Sequence, residues 1–192
     1  MNGKLNIGCG KMTLDGFINL DERPNPGVDI LFDLETCAIK RMPLESSTIN
    51  YMLASHVLEH IENIIPLMSE LWRVAAPNCL LDVRLPYGFS DKAFADPTHK
   101  RPFFERSFKY FEHAFYDFAD YGLRGDWETT ELSFLVPKQN YNGEDVNTAL
   151  KRIQTEFNYV EEMRAQLIAR KPMREGKANI SKPKRSIHIS QR

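Results

Sequence analysis

A Gly-x-Gly turn, Gly8-Cys9-Gly10, follows the short apolar run Leu5-Asn6-Ile7, and a second run, Phe17-Ile18-Asn19-Leu20, ends in Asp21-Glu22. Glycines at a strand tip let backbone N–H groups approach a ligand with no Cβ in the way. An acidic residue at the tip of the neighbouring strand suits ribose hydroxyls, so the pair points to an adenosine-bearing ligand. Gly-x-Gly also serves as a plain tight turn, and alone it is a weak signal. The dinucleotide fingerprint lacks its third glycine, since Thr13 stands there, and Asp21 comes too early for the usual nicotinamide spacing, which disfavours NAD and FAD. Farther along, Asp96-Pro97-Thr98-His99-Lys100-Arg101 sets an imidazole beside a carboxylate. Histidine is the commonest general base, so His99 is the candidate base and Asp96 its orienting partner, with a solvated turn as the bland alternative.

The elements that would position these groups alternate in type. Leu5–Ile7 and Phe17–Leu20 read as strands separated by only nine residues, fewer than the dozen a parallel crossover requires, so the first crossover helix is short or absent. Val28 to Phe32 reads as a third strand running into Asp33-Leu34-Glu35, and Ile49 to Ala54 as a fourth, followed by Ser55-His56-Val57-Leu58-Glu59-His60. Pro66 suits a first helical turn, with Leu67, Met68, Leu71, Trp72 and Ala75 on one face and Pro77-Asn78 as its end. Cys79 to Leu85 makes a fifth strand. Phe104, Phe108, Phe111, Phe115 and Phe118 recur at spacings of four and three, which predicts one helical face used for core packing. Alternation at Leu132, Phe134 and Val136, and again at Met163, Ala165, Leu167 and Ala169, predicts two final strands joined by a helix over Glu144 to Gln154 and paired antiparallel at one edge. Strand and helix in alternation indicate an α/β open sheet whose ligands bind beyond the carboxyl ends of its strands.

A chain of 192 residues, 42% hydrophobic, suffices for one core. With 25 basic and 26 acidic residues it is nearly neutral, so overall charge argues for neither nucleic acid nor a membrane surface. That balance hides an excess of +6 from Lys171 to Arg192, where periodicity fades. The sequence thus divides into a domain over residues 1–170 and a basic tail over 171–192 expected to be flexible. Three scattered cysteines, Cys9, Cys37 and Cys79, make neither a metal-ligand spacing nor a disulfide framework, which fits a reducing compartment. No apolar run approaches the ~18 residues of a bilayer span, and a cytoplasmic location is expected.

Taken in order, LNIGCG, GFINLD, VDILFDLE, SHVLEHI, ELWRVAAPN and DVRLP resemble a small class I S-adenosylmethionine-dependent methyltransferase, over roughly Lys4 to His113. The resemblance implies a three-layer Rossmann-like sheet, mostly parallel with an antiparallel edge. It implies S-adenosyl-L-methionine as cofactor, with Gly8, Cys9 and Gly10 cradling its methionine portion and Asp21 holding the ribose. Asp33 and Leu34 would meet the adenine, and Ser55 and His56 would border the sulfonium. For His60 a cap or surface role is the favoured reading. The helix that commonly precedes the family's first strand is missing, so a lid is absent or comes from a second subunit of a homo-oligomer. The absence of an Asn-Pro-Pro-Tyr or Asp-Pro-Pro-Tyr element argues against methylation of bases in DNA. Methyl transfer to a small-molecule or glycan-like acceptor is the expected activity. The competing reading is a non-catalytic cofactor-fold binding module, or a nucleic-acid methyltransferase, that uses Lys182, Lys184 and Arg185 to hold nucleic acid or a protein partner.

Overall fold

Leu5, Ile7 and Leu20 lie at most 1% exposed, in strands covered on both faces, as the short uninterrupted apolar runs require. The computed structural model describes residues 3–118, 120–176 and 180–190; Met1, Asn2 and parts of the tail read above lie outside it, as do the side chains of 116–118. Eight strands form one sheet: β1 (Gly3–Ile7), β2 (Ile18–Asp21), β3 (Ile30–Leu31), β4 (Ile49–Ser55), β5 (Ala75–Pro86), β6 (Trp127–Pro137), β7 (Glu162–Ala169) and β8 (Lys184–Ser190). Their order is β3-β2-β1-β4-β5-β7-β6-β8. The first five run parallel, β7 is antiparallel to both β5 and β6, and β8 is parallel to β6. This is the expected α/β open sheet of Rossmann-like type. The order reverses at β1, so β1 and β4 carry the switch point at which ligands of such sheets bind.

No helix forms between β1 and β2, as the nine-residue spacing predicts. Helix α1 (Ile64–Val74) buries Ile64, Leu67, Met68, Leu71 and Val74 on one stripe, with Pro66 in its first turn. It stops at Val74, earlier than Pro77-Asn78, because β5 begins at Ala75; Asn78 adopts the left-handed φ of 62° within that strand. A single turn, α2 (Lys92–Ala95), follows β5. Helix α3 (Val146–Thr155) starts where Asp145 Oδ1 accepts from the Asn147 and Thr148 amides, and it buries Ala149 and Ile153.

Two expectations are corrected. The aromatic stretch is not one helix but two 3-10 segments, Glu105–Phe111 and His113–Phe118, with Glu112 extended between them. The break has a cause: Glu112 is fully buried and accepts from the Ser181 amide (2.8 Å) and hydroxyl, while the His113 amide turns to Asp126 Oδ1 (3.1 Å). Phe108 and Phe111 reach the core, whereas Phe104 is 38% exposed.

The segment from Lys171 is also not free of structure. Lys171 Nζ donates to the carbonyls of Ala75 (2.6 Å) and Arg73 (3.2 Å) and lies 4.5 Å above the Trp72 ring. Arg174 forks onto Asp126, Nε to Oδ2 at 2.8 Å and Nη2 to Oδ1 at 2.7 Å, and β8 completes the sheet. The antiparallel strand β7 marks that edge region of the sheet as expected, with β8 added outermost beside β6. In β8 only Ile187 and Ile189 are apolar, too short an alternation to stand out among lysines and arginines. Among the described residues, no helix is long and apolar enough to cross a membrane.

Candidate functional site

The carboxyl ends of β3, β2, β1 and β4, neighbours in that order, carry the residues singled out from the sequence. At the tip of β1, Gly8 and Gly10 hold φ of 58° and 53°, and the Cys9 amide donates to the Leu20 carbonyl (3.0 Å). Asp21 then closes the turn. Its Oδ2 accepts from the Gly10 amide (2.7 Å) and its Oδ1 from the Arg23 amide (2.9 Å), which leaves each oxygen a further lone pair for a ligand's hydroxyls. A buried amide pair beneath, Asn6 Nδ2 to Asn19 Oδ1 at 3.0 Å, fixes the two strands in register. No atom lies within 4 Å of where a Cβ on Gly10 would point, so the backbone there is open to a ligand.

At the tip of β3, Asp33 is exposed and accepts from the Glu35 amide (2.9 Å), capping the 3-10 segment Leu34–Ala38, while Leu34 is buried. Ser55 ends β4. His56 follows it in the left-handed region, φ 54°, with Nε2 3.1 Å from Glu162 Oε2 and Nδ1 3.3 Å from Glu59 Oε1. The Glu162 hydrogen bond, then the Glu59 carboxylate beside Nδ1, raises its pKa to about 9, so the imidazole is a cation at neutral pH set between two carboxylates. With Pro86, Lys92 and Glu161 it lines a cavity of about 560 Å³.

The loop after β5 docks on the loop after β4, where the Lys100 amide donates to the Glu59 carbonyl (2.7 Å). His99 is nearly buried, and its Nδ1 lies 3.0 Å from the Ala93 carbonyl. A carbonyl only accepts, so Nδ1 carries the proton and Nε2 the lone pair. Asp96 stands 3.9 Å from His99 Nε2, outside hydrogen-bond range, and its Oδ1 accepts from the Thr98 amide (2.8 Å) and hydroxyl (2.6 Å). Ala93, rather than Asp96, thus orients the His99 ring by a hydrogen bond.

Two residues here were missed or discounted in the sequence. His60 is not a plain surface group: its ring meets that of His99 edge to face at 4.7 Å, and its Nδ1 lies 2.9 Å from Thr98 Oγ1. Glu59 is only 2% exposed. The Glu-His pair just past a strand tip was the available signal. Beyond the loop, a cavity of about 980 Å³ is lined by Tyr87, Phe89, Arg101, Phe104, Glu105 and Tyr110, among others.

No protein-family model and no curated protein sequence matches the chain. Among solved structures, the chain is similar to an S-adenosylmethionine-dependent methyltransferase from Archaeoglobus fulgidus, with 16% identity, a TM-score of 0.54, and coverage of 88% of this chain and 86% of that one. It is also similar to a Haloferax volcanii chain from a complex with the Trm112 methyltransferase activator (10% identity, TM-score 0.54, 88% and 83% covered). The cyclase SpnF is a third likeness (12% identity, TM-score 0.51, 88% and 76% covered). At 10–16% identity these likenesses speak to architecture and not to chemistry. The sheet order and these likenesses agree: the chain has the fold of the class I S-adenosylmethionine-dependent methyltransferases.

Proposed function

We propose that this protein is an S-adenosylmethionine-dependent methyltransferase acting on a small-molecule or glycan-like acceptor. One observation carries the reading: within this fold, the Gly8-Cys9-Gly10 turn and the Asp21 carboxylate are joined by a 2.7 Å hydrogen bond at the switch point of the sheet. The bound cofactor would supply a methyl group on a sulfonium, already a good leaving group. The chain's own part is binding and orientation. The Gly8-Cys9-Gly10 turn cradles the methionine portion, with the open backbone at Gly10, and Asp21 offers its remaining lone pairs to the ribose hydroxyls. Asp33 accepts from the adenine amine, with Leu34 as the apolar wall. Ser55 and His56 border the sulfonium; the cationic His56 is outnumbered there by Glu59 and Glu162, which suits a neighbouring positive charge. On the acceptor side, the bare Nε2 of His99 takes the proton of a hydroxyl, while Asp96 holds Thr98, which holds the His60 ring packed edge-on against His99.

Calorimetry with S-adenosylmethionine and S-adenosylhomocysteine tests the reading. Both bind the wild type, and Asp21→Ala weakens binding about 10- to 100-fold, the size expected for losing hydrogen bonds to a charged group, about 1.5–3 kcal/mol. Absence of heat at millimolar ligand, with Asp21→Ala indistinguishable from wild type, removes the assignment. In a turnover assay over an acceptor panel, His99→Ala lowers the rate about 10²- to 10⁴-fold at unchanged cofactor affinity. An unaffected rate would leave His99 a loop residue. Of the three residues behind the nucleic-acid and protein-partner readings, Arg185 is engaged by the body of the protein, through Glu105 at 2.8 Å. Salt-sensitive RNA or DNA binding that depends on Lys182 and Lys184, without turnover, would favour those readings.

A further inference from the structure

Glu59 is buried, yet neither of its carboxylate oxygens has a hydrogen-bond partner among the described residues. The cation in contact is His56, whose Nδ1 sits 3.3 Å from Oε1 without hydrogen-bond alignment. A buried carboxylate left in that condition is costly, and a native structure that keeps one has a use for it. Glu59, His60 and His99 can each present one ligand atom within 4.8 Å of the other two.

The surrounding hydrogen bonds fix the tautomers of the two imidazoles. Thr98 Oγ1 gives its only hydrogen to Asp96 Oδ1 at 2.6 Å, so toward His60 Nδ1, 2.9 Å away, it can only accept. His60 therefore carries its proton on Nδ1 and a lone pair on Nε2. The Ala93 carbonyl imposes the same tautomer on His99. Two imidazoles, each with one ring N–H tied to an oxygen and the other nitrogen bare, beside an unsatisfied carboxylate, form the outer and inner layers of a metal site.

We infer that Glu59, His60 and His99 bind a divalent first-row transition-metal ion, with zinc as the reference case, and leave it an open coordination position. Imidazole and carboxylate donors suit such ions, and a two-histidine, one-carboxylate set is of the open kind. Ligand atoms of a tetrahedral ion at about 2.0–2.2 Å stand about 3.4 Å apart, so side-chain rotations of about 1 Å close the cluster on the ion. Arg101 and Pro102, just past His99, belong to the wall of the aromatic cavity, which places the site beside a chamber for an acceptor. A hydroxyl coordinated there would lose its proton more readily, and His99 would serve as ligand in place of base. That consequence rests on the proposed methyl transfer; the binding of metal does not.

The test uses the full chain stripped by a chelator and titrated with Co²⁺, read by visible absorption, and with Zn²⁺, read by calorimetry. One equivalent binds, and His60→Ala, His99→Ala and Glu59→Gln each lose it. Thr98→Val, which removes only the group that positions His60, lowers affinity about 10- to 100-fold, and Thr98→Ser restores it. His188→Ala, at an exposed histidine on β8, binds as wild type. Melting of each metal-free variant shows whether it folds, so a lost site is told from a lost fold. No stoichiometric binding to wild type at submillimolar metal overturns the inference, as does binding that survives in both folded His60→Ala and folded His99→Ala. Cofactor calorimetry on the stripped protein separates the two readings: Asp21-dependent cofactor binding without metal binding sinks this inference alone, and the converse sinks the methyltransferase reading alone.

Discussion

A methyl group on Gly8 would stand 2.8 Å from Val57 Cγ2 and 3.0 Å from Cγ1 at a φ of 58°, whereas one on Gly10, at 53°, would meet nothing within 4 Å. The two glycines of the turn therefore have different reasons to be glycine. Gly8→Ala combines backbone strain with a clash against a buried side chain and should destabilise the protein by about 2–4 kcal/mol. Gly10→Ala carries only the backbone cost, about 1–2 kcal/mol, and its added methyl occupies the opening offered to a ligand. Denaturant midpoints for the two variants check this, and an equal or reversed order would contradict it. At this scale the sequence is readable where partners are close along the chain: Gly10 and Asp21 are held by β1 and β2 pairing directly. The cluster of Glu59, His60 and His99 escaped notice because it exists only once the loop after β5 folds back onto the loop after β4. A glutamate followed by a histidine carries no mark of being buried.

Among elements, the connection from α3 to β7 is held by one carboxylate. Glu144 accepts from the Tyr159 hydroxyl (2.7 Å), the Arg152 guanidinium and the Asn142 amide (2.7 Å), and the Tyr159 bond leads in lowering its pKa from 4.5 to about 2. A carboxyl whose folded pKa lies below its unfolded value adds stability that is present above the unfolded value and lost as pH falls through the folded one. Melting temperature should accordingly decline between pH 4.5 and about 2, and Glu144→Gln should flatten the decline in that window. An unchanged slope in the variant would show that the group does not titrate with folding. Period-two alternation marked β7 correctly because every second residue, Met163 to Ala169, is buried while those between are only half-buried. The aromatic stretch misled because a period of three and four fits any surface packed by Phe108 and Phe111, and the hydrogen bonds that break the helix come from Ser181 and Asp126, far away in sequence.

Across the whole molecule, the segment from Lys171 onward is a strap rather than an appendage. Its anchor is Arg174, whose bidentate pair with Asp126 and contact with Glu112 neutralise two carboxylates with no solvent exposure. Arg174→Ala leaves both without their cation and should cost about 3–5 kcal/mol, seen as a lower denaturant midpoint at unchanged secondary structure. Little change in midpoint would mean that water or another base takes its place. Composition alone hid the strap, since seven basic residues against one acid look like solvated tail until their partners at Asp126, Glu105 and the end of α1 are known. The sheet order also sets a timetable for synthesis. The strand β6 pairs only with β7 and β8, both made after it, so while the chain is being translated it has no neighbour to join. The stretch from Pro137 to Glu162 takes about 1–5 s to make at about 5–20 residues per second. Through that interval β6 waits with both edges open, guarded by the charges of Glu128 and Glu131, and any holding factor that shields nascent strands has its opportunity there.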